Sequence, residues 1–194
     1  MVDEIRALFA AAAAHHVPRP DSPKAIGRPT RCDTARPKEA LAAWSAVFEK
    51  ADELAARWPM MHDPWVREVK ADALYGMACM QSLLGDKAAA LEALDRVIRT
   101  GHAKYELMGQ DADFDGLRGD PAFSSSFAAL VEEARLRVDG LTVERVLARL
   151  GQPREKVQTD GRLKLWVYYY DRVEVYFNKE GVADWTYLVE KADA

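Results

Sequence analysis

Cysteine is nearly missing from this 194-residue chain: Cys32 and Cys79 are too few for a disulfide framework and are spaced unlike any zinc motif. Both are expected to be free thiols. Neither sign of charge dominates, with 27 basic and 31 acidic side chains and a net charge of −4, so there is no broad field to gather phosphate backbones or anionic lipid. Neither nucleic acid nor a membrane surface is expected as a partner. No run approaches the roughly 20 apolar residues that span a bilayer. The first residues carry Asp3 and Glu4 where a secretory signal needs basic charge, and the Ala-rich stretch from Ala7 to Ala14 is too short an apolar core. A cytoplasmic location is expected, or a periplasmic one if an export signal has been removed.

Recognisable reaction chemistry is also scarce. His15, His16, His62 and His102 have no nucleophile pattern beside them, Ser124-Ser125-Ser126 lacks the Gly-x-Ser-x-Gly setting, and no glycine loop fit for phosphate appears. No catalytic residue and no cofactor is expected, and the chain does not read as an enzyme. Asp111, Asp113, Asp115 and Gly116 match the first half of a calcium loop, but Ala122 stands where the bidentate glutamate belongs and Arg118 where an aliphatic residue belongs. No metal is expected.

What is present is apolar material, 49% of the residues, enough for one ordinary domain or two small ones. Three parts are expected: an N-terminal arm and Pro-rich connector over 1–37, an α-helical domain over 38–140, and an α+β domain over 141–194. Pro18, Pro20, Pro23, Pro29 and Pro37 make the connector extended. The acidity sits in the middle part, at −6, against +2 before it and zero after it.

Apolar residues at three- and four-residue steps predict helices from Pro37 to Trp58, from Asp63-Pro64 to Gly85, and from Lys87 to Gly101, the last two forming a hairpin turned at Gly85-Asp86. A short helix is expected over Lys104 to Met108, and Asp120-Pro121 is placed to start another that runs to Leu136. A short helix over Val143 to Leu150, stopped by Gly151 and Pro153, precedes three runs rich in β-branched and aromatic residues: Leu163 to Tyr170, Val173 to Asn178 and Val182 to Val189. Their short loops predict an antiparallel meander. The fold class is therefore α+β, with the helix packed on a three-stranded sheet.

The stretch from Leu74 to Gly101 resembles a tetratricopeptide (TPR) repeat. Ala78 and Ala90 fall where its two helices touch, Gly85-Asp86 at its turn, and Leu91 and Leu94 on its second helix; Gln81 and Val97 depart from the tyrosine and alanine preferred there. Asp113-Phe114-Asp115-Gly116-Leu117, followed by Asp120-Pro121-Ala122-Phe123, resembles the segment that closes bacterial arrays of this kind. Such proteins bind other proteins through the inner face of each first helix, which by position implies Asp72, Tyr75, Cys79 and Ser82 here. The C-terminal part, with Leu141-Thr142-Val143, Leu150-Gly151-Gln152-Pro153, Trp166-Val167-Tyr168 and Val173-Glu174-Val175-Tyr176-Phe177, resembles the SmpA/BamE-like fold of small outer-membrane assembly lipoproteins, shared with β-lactamase-inhibitory proteins. Members bind proteins without catalysis. Neither a lipoprotein cysteine nor an export signal of the kind that family carries is expected from these residues.

Trp166, Tyr168, Tyr169, Tyr170, Tyr176, Trp185 and Tyr187 concentrate aromatic surface in this last part. The solvent side of the sheet, with Tyr168, Tyr170, Tyr176 and Trp185, is the expected contact surface. The expectation is a non-enzymatic scaffold or adaptor whose partner is another protein. The alternatives are a periplasmic envelope-assembly subunit, and a small-ligand-binding protein or enzyme with its site between the two modules.

Overall fold

A computed structural model describes residues 2–14, 36–57, 64–100, 108–159 and 165–188. The expected Pro-rich connector before Arg36 lies outside these residues, as does the expected helix over Lys104 to Met108 except for Met108 itself. The described chain is α+β, with seven α-helices and one sheet of four antiparallel strands in the order β1-β2-β3-β4. It divides into two compact units, and the division falls inside one helix, between Leu130 and Val131.

In the first unit α1 (Val2–Ala13), α2 (Pro37–Arg57), α3 (Pro64–Leu83) and α4 (Lys87–Arg99) pack in sequence, α1 on α2, α2 on α3 and α3 on α4. Buried Ala40, Trp44, Val47 and Ala51 repeat at helical spacing along one side of α2, so burial of that stripe holds the helix. α3 ends where Gly85 takes φ +82°, a left-handed conformation that costs other residues more. Asp86 then caps α4 by accepting the Ala89 N–H at 3.2 Å. Ala78 and Ala90, the small residues of the predicted hairpin, are fully buried.

Residues 2–13, read from sequence as part of an arm, instead form a helix that closes on α2. Ile5 and Ala12 are buried, and Phe9 meets the Trp44 ring edge-on at 5.4 Å. The same Trp44 ring explains Gly76 on α3, because a Cβ there would stand 2.5 Å from Trp44 Cε2. Gly76→Ala is expected to lose stability even though alanine is the better helix former. Overpacking costs about 1–3 kcal/mol, against a propensity gain of about 1 kcal/mol, and Phe9 keeps the indole from stepping aside. Urea unfolding of the two proteins checks this; an equal or higher midpoint for the variant would contradict the packing.

After α4 comes a single turn at Met108–Gln110, then a second at Ala112–Phe114 and the short α5 (Asp115–Arg118), and these last two lie against α3. Helix α6 (Ser124–Leu136) begins four residues after the expected Asp120 start, because residues 121–123 form a turn. Asp120 still acts as a cap there: its carboxylate accepts the Ala122 N–H at 3.0 Å and its carbonyl accepts the Ser124 N–H at 2.8 Å.

The second unit is built on β1 (Glu155–Gln158), β2 (Trp166–Tyr169), β3 (Val173–Phe177) and β4 (Ala183–Leu188). Four strands replace the expected three; β1 is the addition, an edge strand of four exposed residues paired to β2. Helix α7 (Val143–Leu150) ends at Gly151, φ +79°, and lays Val146, with Leu147 and Leu150, on a core of Tyr168, Tyr170, Val173, Val175 and Phe177. The far edge of the sheet is covered. Arg137 donates to the Thr186 carbonyl at 2.7 Å, Asp139 accepts the Thr186 N–H at 3.1 Å, and Gly140 and Leu141 exchange backbone hydrogen bonds with Ala183. The segment therefore satisfies the β4 edge that would otherwise offer free donors and acceptors.

Candidate functional site

The two sets of predicted contact residues lie in different units and meet different fates. On α3, Cys79 and Ser82 are buried and Asp72 and Tyr75 half-buried. The chain's own 108–118 segment engages this helix: Tyr75 donates its hydroxyl to Asp111 Oδ2 at 2.7 Å, Ser82 donates to the Asp113 carbonyl at 2.7 Å, and the Tyr75 ring meets Phe114 edge-on at 5.6 Å. Tyr75 and Ser82 thus serve an intramolecular joint.

That segment is the would-be calcium loop, and its geometry shows why Arg118 stands in it. The guanidinium donates to the carbonyls of Gly109 at 2.8 Å and Asp111 at 2.7 Å and pairs with the Asp115 carboxylate. A fixed side-chain cation thereby orients loop oxygens. Cys79 Sγ and carboxylate oxygens of Asp111 and Asp113 do lie within 4.8 Å of one another, close enough to share an ion. Asp111, however, already accepts the Asp113 N–H at 3.0 Å through one oxygen and the Tyr75 hydroxyl through the other. The Asp111 carboxylate thus ties the loop to Tyr75 of α3.

An open depression of about 500 Å³ lies nearby, lined by Lys87, Gly116, Gly119, Asp120 and Pro121 among others. Within it Lys87 Nζ stands 2.5 Å from Asp120 Oδ2, and the remaining lining acid, Asp115, pairs with Arg118. The hydrogen bond from Lys87, with that from the Ala122 N–H, holds the Asp120 carboxyl below its ordinary range.

On the sheet, strand register sorts the aromatic residues. One row across the strands is Lys156, Tyr168, Val175 and Thr186, on the side covered by α7. Tyr168 and Tyr170 belong to this side and are only 8% and 9% exposed, so two of the four residues expected on the solvent side are core. Tyr168 packs on Phe177 at 4.7 Å, and burial pushes the Tyr170 hydroxyl up to about 12.

Tyr176 and Trp185 are on the opposite face. There the rows are Val157, Val167, Tyr176, Trp185 and Glu155, Tyr169, Glu174, Tyr187. Trp185 and Tyr187 are each 55% exposed, Tyr169, Glu174 and Tyr176 half-buried, and Val167 is buried at the centre. Tyr169, Glu174 and Tyr187 are not among the residues expected from sequence, although Trp185 and Tyr187 share a face by simple alternation.

Tyr176 donates to Glu174 Oε2 at 2.8 Å, and this bond, more than burial, pushes its hydroxyl up to about 12. Both shifted tyrosines stay protonated near neutral pH and act there as hydrogen-bond donors. Because the folded value exceeds the unfolded value near 10, the Tyr176 contribution to stability is complete below pH 10 and is lost as pH rises through about 12. Glu174→Gln is expected to return one tyrosine toward 10 in an ultraviolet phenolate titration; an unchanged curve would contradict the hydrogen bond. No family model matches this chain, and neither a curated protein nor a solved structure matches it.

Proposed function

We propose that this chain is a non-enzymatic protein-binding scaffold whose contact surface is the open face of the C-terminal sheet. The carrying observation is that Trp185 and Tyr187 stand more than half exposed beside Tyr169 and Tyr176 on adjoining strands. Such side chains bury large area on contact while giving up only two torsions each, which is why Tyr and Trp concentrate in binding surfaces. Strands fixed by a core on the other side hold them in place before contact, which lowers the entropy cost of binding. Reading the α3–α4 hairpin as TPR-like and the 141–194 part as SmpA/BamE-like belongs to the same proposal. In it the helical unit is a support, because Tyr75 and Ser82 are spent on the 108–118 segment.

Affinity capture from the source cells tests the reading with three forms of the full chain: wild type, Trp185→Ser/Tyr187→Ser, and Tyr75→Phe. A protein held by wild type and Tyr75→Phe but lost with the double variant, at unchanged melting temperature, is the expected result. A captured set that the double variant leaves unchanged would overturn it.

A further inference from the structure

The strand residues of the open face carry charge of one sign. Of the eight side chains the four strands place on it, Glu155 and Glu174 are acidic and none is basic. The nearest strand cation, Lys156, points to the other face, with its ammonium 4.7 Å from the Tyr168 ring centre. Arg154, just before β1, pairs with Asp171 at 3.0 Å.

Glu174 holds the central position. Register sets Tyr169 directly beside it on β2 and Tyr187 directly beside it on β4, and Tyr176 follows two residues along β3. Side chains at such paired positions have Cβ atoms roughly 5 Å apart, so the carboxylate is framed by phenol rings. The hydrogen bond from Tyr176 steadies one oxygen and leaves further acceptor capacity on the carboxylate. Half-burial among rings lowers the local dielectric, which strengthens attraction for an incoming cation and repulsion of an anion. Aromatic faces attract cations independently through their quadrupoles.

We infer that this face docks an arginine-bearing segment of a partner protein, with the guanidinium set against Glu174 between Tyr169 and Tyr187. Arginine fits better than lysine because its planar group stacks on a ring while its N–H fork meets a carboxylate. Trp185 and Val157, in the adjacent row, then take apolar neighbours of that arginine. The inference rests on the protein-binding reading above and gives its partner a chemistry.

The test is fluorescence anisotropy of the full chain with a fluorescein-labelled peptide of alternating Gly and Arg, beside a peptide in which citrulline replaces each Arg. Citrulline keeps the shape and removes the charge. The arginine peptide is expected to bind, and the citrulline peptide at least about tenfold more weakly. Glu174→Gln and Tyr187→Ser are each expected to weaken the arginine peptide by about tenfold, whereas Glu132→Gln, an exposed acid on α6, leaves it unchanged. Tyr187 is exposed enough that its truncation leaves the fold intact, which guards against a folding defect in Glu174→Gln. Equal binding of the two peptides, no binding of either, or wild-type affinity in Glu174→Gln would overturn the inference. If capture by the open face still depends on Trp185 and Tyr187 in that event, the protein-binding reading stands without it; if capture fails too, both fall.

Discussion

Phe114→Ala destabilises the helical unit by about 3–5 kcal/mol, the loss expected when a fully buried aromatic leaves a cavity its neighbours cannot fill. Phe114 is the anchor of the 108–118 segment. Its ring meets Tyr75 of α3 at 5.6 Å and 90°, and Phe127 of α6 at 5.6 Å and 45°, so one side chain joins two helices through two aromatic contacts. The hydrogen bonds flanking it, Tyr75 to Asp111 and Ser82 to the Asp113 carbonyl, depend on the segment staying seated. Urea unfolding followed by helical circular dichroism measures the loss. A change within about 0.5 kcal/mol, the range of ordinary surface substitutions, would show that the segment does not lie against α3.

Phe177→Ala has an effect of similar size in the second unit, about 3–5 kcal/mol, for the same reason. The ring is nearly inaccessible and packs edge-on against Tyr168 in the core that α7 covers. Amide protection across β2, β3 and β4 is expected to fall with it. The informative contrast is Trp185→Ala, on the other face and 55% exposed, which is expected to change stability by no more than about 0.5 kcal/mol. Hydrogen exchange on both variants checks the pair together. Equal losses, or the larger loss at Trp185, would mean that the faces have been assigned the wrong way round.

Helices α2, α3, α4 and α7 were legible because local signals mark their ends: Pro37 in a first turn, Gly85-Asp86 as stop and cap, Gly151 and Pro153 after a short apolar stripe. Helix α1 was not, since an Ala-rich run carries little directional pattern, and its partners, Trp44 and Lys50 of α2 and Trp65 of α3, lie far along the chain. Strand β1 was missed for a related reason. Glu155-Lys156-Val157-Gln158 contains one β-branched residue, and it is extended because β2 offers it a pairing edge.

The faces of the sheet were within reach of the sequence. The two-residue loop Asp171-Arg172 places Tyr170 opposite Val173, and the Tyr170 N–H donates to the Val173 carbonyl at 2.9 Å. That register sends Tyr170 and Tyr168 beneath α7 with Val173 and Val175, and frees Tyr169 and Glu174 for the other side. Grouping Tyr168 and Tyr170 with Tyr176 and Trp185 ignored this constraint. The α3 residues are a different case: helical periodicity marks a face but says nothing of a segment some thirty residues on that covers it, as the Tyr75–Asp111 and Ser82–Asp113 bonds do.

The most direct test of the open face as a contact surface is photo-crosslinking in the source cells, with benzoylphenylalanine placed at Tyr187, at Tyr168, or at Arg145 on the exposed side of α7. Position 187 is predicted to yield a discrete protein adduct, and positions 168 and 145 none. Adducts from position 145 with none from 187 would contradict the account.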